Sequence, residues 1–148
     1  MTLLPAEILL VEDNDDDILL IRESFVEANV MNVLNVVKDG EEAMAYLRRE
    51  GKYKDAAPAG LMLLDINMPK KGGFEVLAEV KADPELRHLP IIMLTTSERD
   101  EDVLRSFAGG ACSYVTKPVR FVVFCEVVRL FALYWTLVSR IPVPHKVR

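Results

Sequence analysis

Apolar residues along this chain fall into short solid runs, separated by longer stretches where they recur every three or four positions. The runs EILLV (7–11), VLNVVK (33–38), LMLLD (61–65), PIIML (90–94) and CSYVT (112–116) predict five strands. Several are apolar almost throughout, which suits strands covered on both faces in a parallel sheet. Residues 15–29 set Ile18, Ile21, Phe25 and Ala28 on one helical face, and 41–50, 73–82 and 99–108 repeat that pattern less fully. The segment 119–139 predicts a fifth helix. Asp39-Gly40, Gly72-Gly73, Asp83-Pro84 and Gly109-Gly110 fall between segments, where turns and helix caps are needed, and EGKYKDAAPAG (50–60) reads as a surface loop. Alternation at this length requires right-handed crossovers, so the expected fold is α/β: a doubly wound, five-stranded parallel sheet with five helices.

Composition narrows the function classes. A chain of 148 residues, 51% hydrophobic and 28% charged, suits one globular domain. A net charge of −5, with HKVR at the end as the only basic cluster, argues against nucleic acid as a partner. The N-terminal apolar run has no basic lead and no small-residue cleavage site, so no signal peptide is expected. The apolar stretch LFALYWTLV is far short of the roughly 20 residues that span a bilayer, so no membrane partner is expected either. Cys112 and Cys125 sit in apolar surroundings and read as two small buried hydrophobes of a reducing cytoplasm, the expected location.

An open parallel sheet binds its ligand at the carboxyl ends of its strands. Glu12 and Asp13 follow the first strand, and Asp65 ends the third. Thr95, Thr96 and Ser97 follow the fourth, and Lys117 and Pro118 the fifth. Like charges about 4 Å apart repel by roughly 4 kcal/mol at an effective dielectric of 20, so three converging carboxylates need a cation. Hard oxygen ligands favour Mg²⁺. Asp15, Asp16 and Asp17 fall where a helix starts, and read as helix-capping or solvated carboxylates. A calcium loop beginning at Asp13 fails, because Ile18 stands where Gly is required and Ser24 where Glu is required.

A metal, a carboxylate and a lysine together suit phosphoryl transfer, with Asp65 as the nucleophile, followed by the shaping loop INMPKKGG. Neither G-x-G-x-x-G nor a Walker sequence occurs, which disfavours nucleotide binding. Each residue alone has an ordinary structural explanation; their joint placement at four strand ends carries the argument.

The blocks ILLVEDN, LLDINMPKKGGFEVL, PIIMLTTS and SYVTKP occur in order, and resemble the signature blocks of bacterial response-regulator receiver domains over roughly residues 7 to 130. LNVVKDGEEAMAYLRREGKY, LLDINMPKKGG, TTS and the late YW are more narrowly similar to stand-alone regulators paired with bacterial phytochromes. The resemblance implies a flavodoxin-like topology and a phosphoryl group accepted on Asp65 from a sensor histidine kinase of the phytochrome type. It implies Mg²⁺ held by Asp13, Asp65 and the Asn67 carbonyl, with Glu12 acting directly or through water, and Lys117 pairing the phosphoryl oxygens. Thr95 would donate its hydroxyl to them and switch together with Tyr114. Asn67, Thr96 and Ser97 would tune the acyl-phosphate lifetime, and the Lys117–Pro118 bond would be cis. Two places depart from the family pattern: Thr96 stands where a smaller residue is common, and Val122 and Val123 stand where acidic residues are usual.

The expected boundaries are a lead over residues 1–6, a receiver domain over 7–139 and a tail over 140–148. The last helix carries two apolar stripes where one suffices to cover the sheet. The second, Phe124, Val128, Phe131 and Trp135, reads as a homodimer surface, against the alternative that both stripes are covered within the chain. With only the tail RIPVPHKVR after that helix, the signal is expected to leave through contacts with an unidentified downstream protein. The protein would then catalyse its own phosphorylation and dephosphorylation without turning over a separate substrate. An aspartate-nucleophile phosphatase needs a second Asp two places after the nucleophile, and Asn67 stands there. A phosphorylation-independent scaffold is the remaining alternative.

Overall fold

The structure, a computed structural model, describes residues 7–27, 29, 32–96, 99–117 and 126. In chain order it contains β1 (Glu7–Val11), α1 (Asp15–Glu27), β2 (Leu34–Val37) and α2 (Gly40–Arg48), then a 3-10 turn (Gly51–Tyr53). β3 (Ala59–Asp65), α3 (Gly73–Ala82), β4 (Ile91–Thr95), α4 (Asp100–Ala108) and β5 (Ser113–Thr116) follow. All strand pairs are parallel, in the order β2-β1-β3-β4-β5, which is the doubly wound, flavodoxin-like arrangement. Within the expected fifth helix Glu126 is described, as helical; Val122, Val123, Phe124, Val128, Phe131 and Trp135 lie outside the described residues, as do Ser97, Pro118 and Cys125.

The near-continuous apolar runs are central strands. Every residue of β3 and β4 is buried, whereas β2 and β5 at the edges are mostly half-buried. Alternation along each strand divides the core between the two sheet faces. Leu9, Val11, Met62, Leu64 and Met93 meet α2 and α3 through Met44, Val76 and Leu77. Ile8, Leu10, Leu63 and Ile92 meet α1 through Ile18, Ile21 and Phe25. Among the described residues, no helix is long and apolar enough to cross a membrane.

Three expectations need correction. The loop over 50–60 holds the 3-10 turn, and its last two residues already belong to β3. Cys112 is exposed rather than buried, because it lies on the turn leading into edge strand β5, held there by its N–H on the Ile91 carbonyl at 2.8 Å. The start of α1 is capped by Asn14, whose side chain accepts from the Asp17 N–H at 3.0 Å; the three aspartates follow the cap and occupy the first turn.

Candidate functional site

Strand register builds the site. Val11 pairs with Leu64, so Glu12, the next residue of the first chain segment, arrives beside Asp65 at the end of β3. Thr95 pairs with Thr116, so Lys117 leaves β5 beside the end of β4. Beyond Asp65 the chain turns sharply into α3, with the Gly73 N–H on the Ile66 carbonyl at 2.8 Å. A Cβ on Gly73 would run into the Asp65 carbonyl, so the turn requires glycine there.

Glu12, Asp13 and Asp65 each offer a carboxylate oxygen, and these atoms all lie within 4.8 Å of one another. Glu12 and Asp65 are buried and Asp13 is exposed. The Lys117 ammonium reaches in from β5. It donates to Glu12 Oε1 at 2.7 Å and to Asp17 Oδ2 at 2.9 Å, and stands 3.8 Å from Asp65 Oδ2.

Charge in this site is only partly balanced. Burial pushes the Glu12 carboxyl up to about 8, Lys117 opposes that, and Asp65 adds to it. Burial also raises Asp65, although the Glu12 carboxyl, the Lys117 charge and the Asn67 N–H act to lower it. Burial alone would lower Lys117, but its bonds to Glu12 and Asp17 outweigh that and raise it. Glu12 Oε2 is buried and meets no donor. When protonated, Glu12 can donate to Asp65; when ionised, this second oxygen is an orphaned acceptor, which is costly in a buried site. Two buried carboxylates, an exposed third and an orphaned oxygen fit a small divalent cation with hard oxygen ligands, Mg²⁺ above all.

The other expected residues gather around this centre. Thr95 is fully buried as the last residue of β4. Asn67 and Thr96 are exposed and help line a cleft of about 500 Å³ beside the end of β3, with Phe74, Arg99 and Arg105 among the other lining residues. Tyr114 on β5 is half-buried on the sheet face that holds Met93 and is covered by α3, the face that Thr95 shares by strand alternation. Asp17, read from the sequence as a helix-capping or solvated carboxylate, is instead bonded to Lys117 at this site. The available signal was geometric: side chains of a first helical turn tilt back toward the helix N-terminus, so one of three consecutive aspartates there can reach the strand ends.

The response regulator receiver domain family matches residues 8–129. The response regulator Rcp1 of Synechocystis sp. is 36% identical over 138 residues, covering 93% of this chain and 94% of Rcp1. A phosphorylated cyanobacterial phytochrome response regulator, RcpA, superimposes with a TM-score of 0.83 at 39% identity, over 96% of this chain and 100% of RcpA. The Mn²⁺-bound form of Rcp1 superimposes with a TM-score of 0.81 at 36% identity, over 93% of this chain and 99% of Rcp1.

Proposed function

The chain belongs to the response regulator receiver domain family, and on that premise we propose that it is a phosphorylation switch whose acceptor is Asp65. The observation that carries this reading is the position of Asp65: buried at the end of β3, within a three-carboxylate cluster and 3.8 Å from the Lys117 ammonium. An Asp65 carboxylate oxygen attacks the phosphorus of a phosphohistidine on the partner kinase. A P–O bond forms, the P–N bond breaks and the imidazole leaves. The Asn67 N–H orients the acceptor, and Lys117 draws charge from the phosphoryl oxygens. Glu12, Asp13, Asp65 and the Asn67 carbonyl would hold Mg²⁺, which when bound neutralises charge on the transferring group.

The Thr95 hydroxyl would bond the transferred group, and Tyr114 on the same sheet face would follow it inward. That biases a two-state equilibrium read by a downstream protein. Asn67 and Thr96 line the cleft beside the acceptor and would govern how long the acyl phosphate survives against water. The likeness to phytochrome response regulators supports a phytochrome-type histidine kinase as the phosphodonor. The test is phosphotransfer from such a kinase, autophosphorylated with labelled ATP, against an unrelated histidine kinase. Transfer to this chain at least about tenfold faster from the phytochrome-type kinase supports the pairing. Equal rates contradict it.

A further inference from the structure

We propose that Asp17 is a positioning residue that holds the Lys117 ammonium back from Asp65 and so sets how tightly the acceptor site grips a phosphoryl group. The inference rests on the reading of Asp65 as acceptor and adds a means of regulation at the same site.

An ammonium has three donors. Two of them are engaged here, by Glu12 at 2.7 Å and by Asp17 at 2.9 Å, while Asp65 at 3.8 Å lies beyond hydrogen-bonding distance. Glu12 comes from the segment after β1, and Asp17 from the first turn of α1, so Lys117 is gripped from two sides. The Lys117 side chain is only 10% exposed, which leaves the ammonium few solvent partners to exchange for these. The position of Asp17 is fixed locally, because its N–H bonds the Asn14 cap at 3.0 Å.

A first-turn aspartate also favours the helix dipole, and that structural role is shared by its neighbours. Asp15 instead pairs with Lys38 at 2.6 Å, and Asp16 is exposed in the same turn. Contact with Lys117 sets Asp17 apart from both. A phosphoryl group on Asp65 must draw the ammonium toward its oxygens against the pull of Asp17. Removing that pull strengthens the contact between Lys117 and the phosphoryl group.

The experiment is calorimetric titration with beryllofluoride, a phosphoryl mimic, in the presence of Mg²⁺. Wild type is compared with Asp17→Asn, Asp17→Glu and Asp16→Asn, and Asp17→Asn is repeated in a Lys117→Ala background. Asp17→Asn is expected to bind about fivefold more tightly, the size of one partly exposed ion pair. Asp17→Glu returns toward wild type, and Asp16→Asn, which also removes one first-turn charge, stays at wild type. In the Lys117→Ala background the effect of Asp17→Asn vanishes, which a purely structural role of Asp17 would not produce. Unchanged or weaker binding by a folded Asp17→Asn, with wild type binding normally, overturns the role of Asp17 and leaves the acceptor reading standing. Wild-type binding that survives Asp65→Asn overturns the acceptor reading, and this inference with it.

Discussion

Glu12 is the most constrained side chain of the site: fully buried, bonded through one oxygen to Lys117, and without a donor on the other. Its burial fits the proposed cation site better than a role in folding, because a buried carboxylate left partly unsatisfied contributes little to stability. With its carboxyl pushed up to about 8, Glu12 in the metal-free protein resembles an amide in charge near neutral pH. Glu12→Gln is therefore expected to leave the stability of metal-free protein within about 1 kcal/mol of wild type. The same change is expected to weaken Mg²⁺ binding by about tenfold or more. Thermal unfolding in chelator and a Mg²⁺ titration separate the two effects. A variant that unfolds much earlier yet binds Mg²⁺ normally would contradict this account.

Among the elements, α2 shows how local sequence and tertiary contact combine. Asp39 caps it by accepting from the Glu42 N–H at 2.8 Å, and Glu42 reaches back to the Lys38 N–H at 3.2 Å. Glu42 also accepts from the Tyr53 hydroxyl at 2.8 Å and pairs with Lys52 at 3.1 Å, tying α2 to the 3-10 turn. These bonds, the Tyr53 hydroxyl first, hold its carboxyl below the ordinary 4.5. Because the folded value lies below the unfolded one, the stabilisation is fully present above pH 4.5 and is lost as pH falls through the folded value. Glu42→Gln is expected to cost about 1 kcal/mol at pH 7, with the gap to wild type narrowing toward about pH 3. Urea unfolding at the two pH values checks this, and a gap that widens in acid would contradict it.

Much of this level was legible in the sequence. β1 and α3 begin and end where the apolar pattern places them, because solid apolar runs and a helix bounded by Gly72 and Pro84 leave few alternatives. The site carboxylates and Lys117 were legible through their positions at strand ends. α4 was only half legible: it buries Asp102 and Ser106 and exposes Leu104 and Phe107, against the usual pattern. The buried pair is satisfied by polar contacts one helical turn away, which an apolar pattern does not record: Asp102 with the Arg99 guanidinium at 3.2 Å and the Ser106 hydroxyl on the Asp102 carbonyl at 2.8 Å. Asp17 and Cys112 escaped for a different reason: their partners, Lys117 and the Ile91 carbonyl, come from chain segments distant in sequence.

For the molecule as a whole, the carboxylate cluster lies at the carboxyl ends of the strands, and α4 exposes apolar surface, with Leu104 69% and Phe107 50% exposed. Together with the sequence stripe Phe124, Val128, Phe131 and Trp135, which lies outside the described residues, this surface predicts self-association. Sedimentation velocity at micromolar concentration is expected to show a dimer, and a monomer throughout would contradict the prediction.

The central claim, that Asp65 accepts a phosphoryl group with the help of a cation held by its carboxylate neighbours, is tested most directly by intact-protein mass. Wild type and Asp65→Asn are incubated with acetyl phosphate, with and without Mg²⁺. The account predicts a gain of one phosphoryl group in wild type that depends on Mg²⁺ and is absent in Asp65→Asn. Equal phosphorylation of wild type and Asp65→Asn, or a gain indifferent to Mg²⁺, would contradict it.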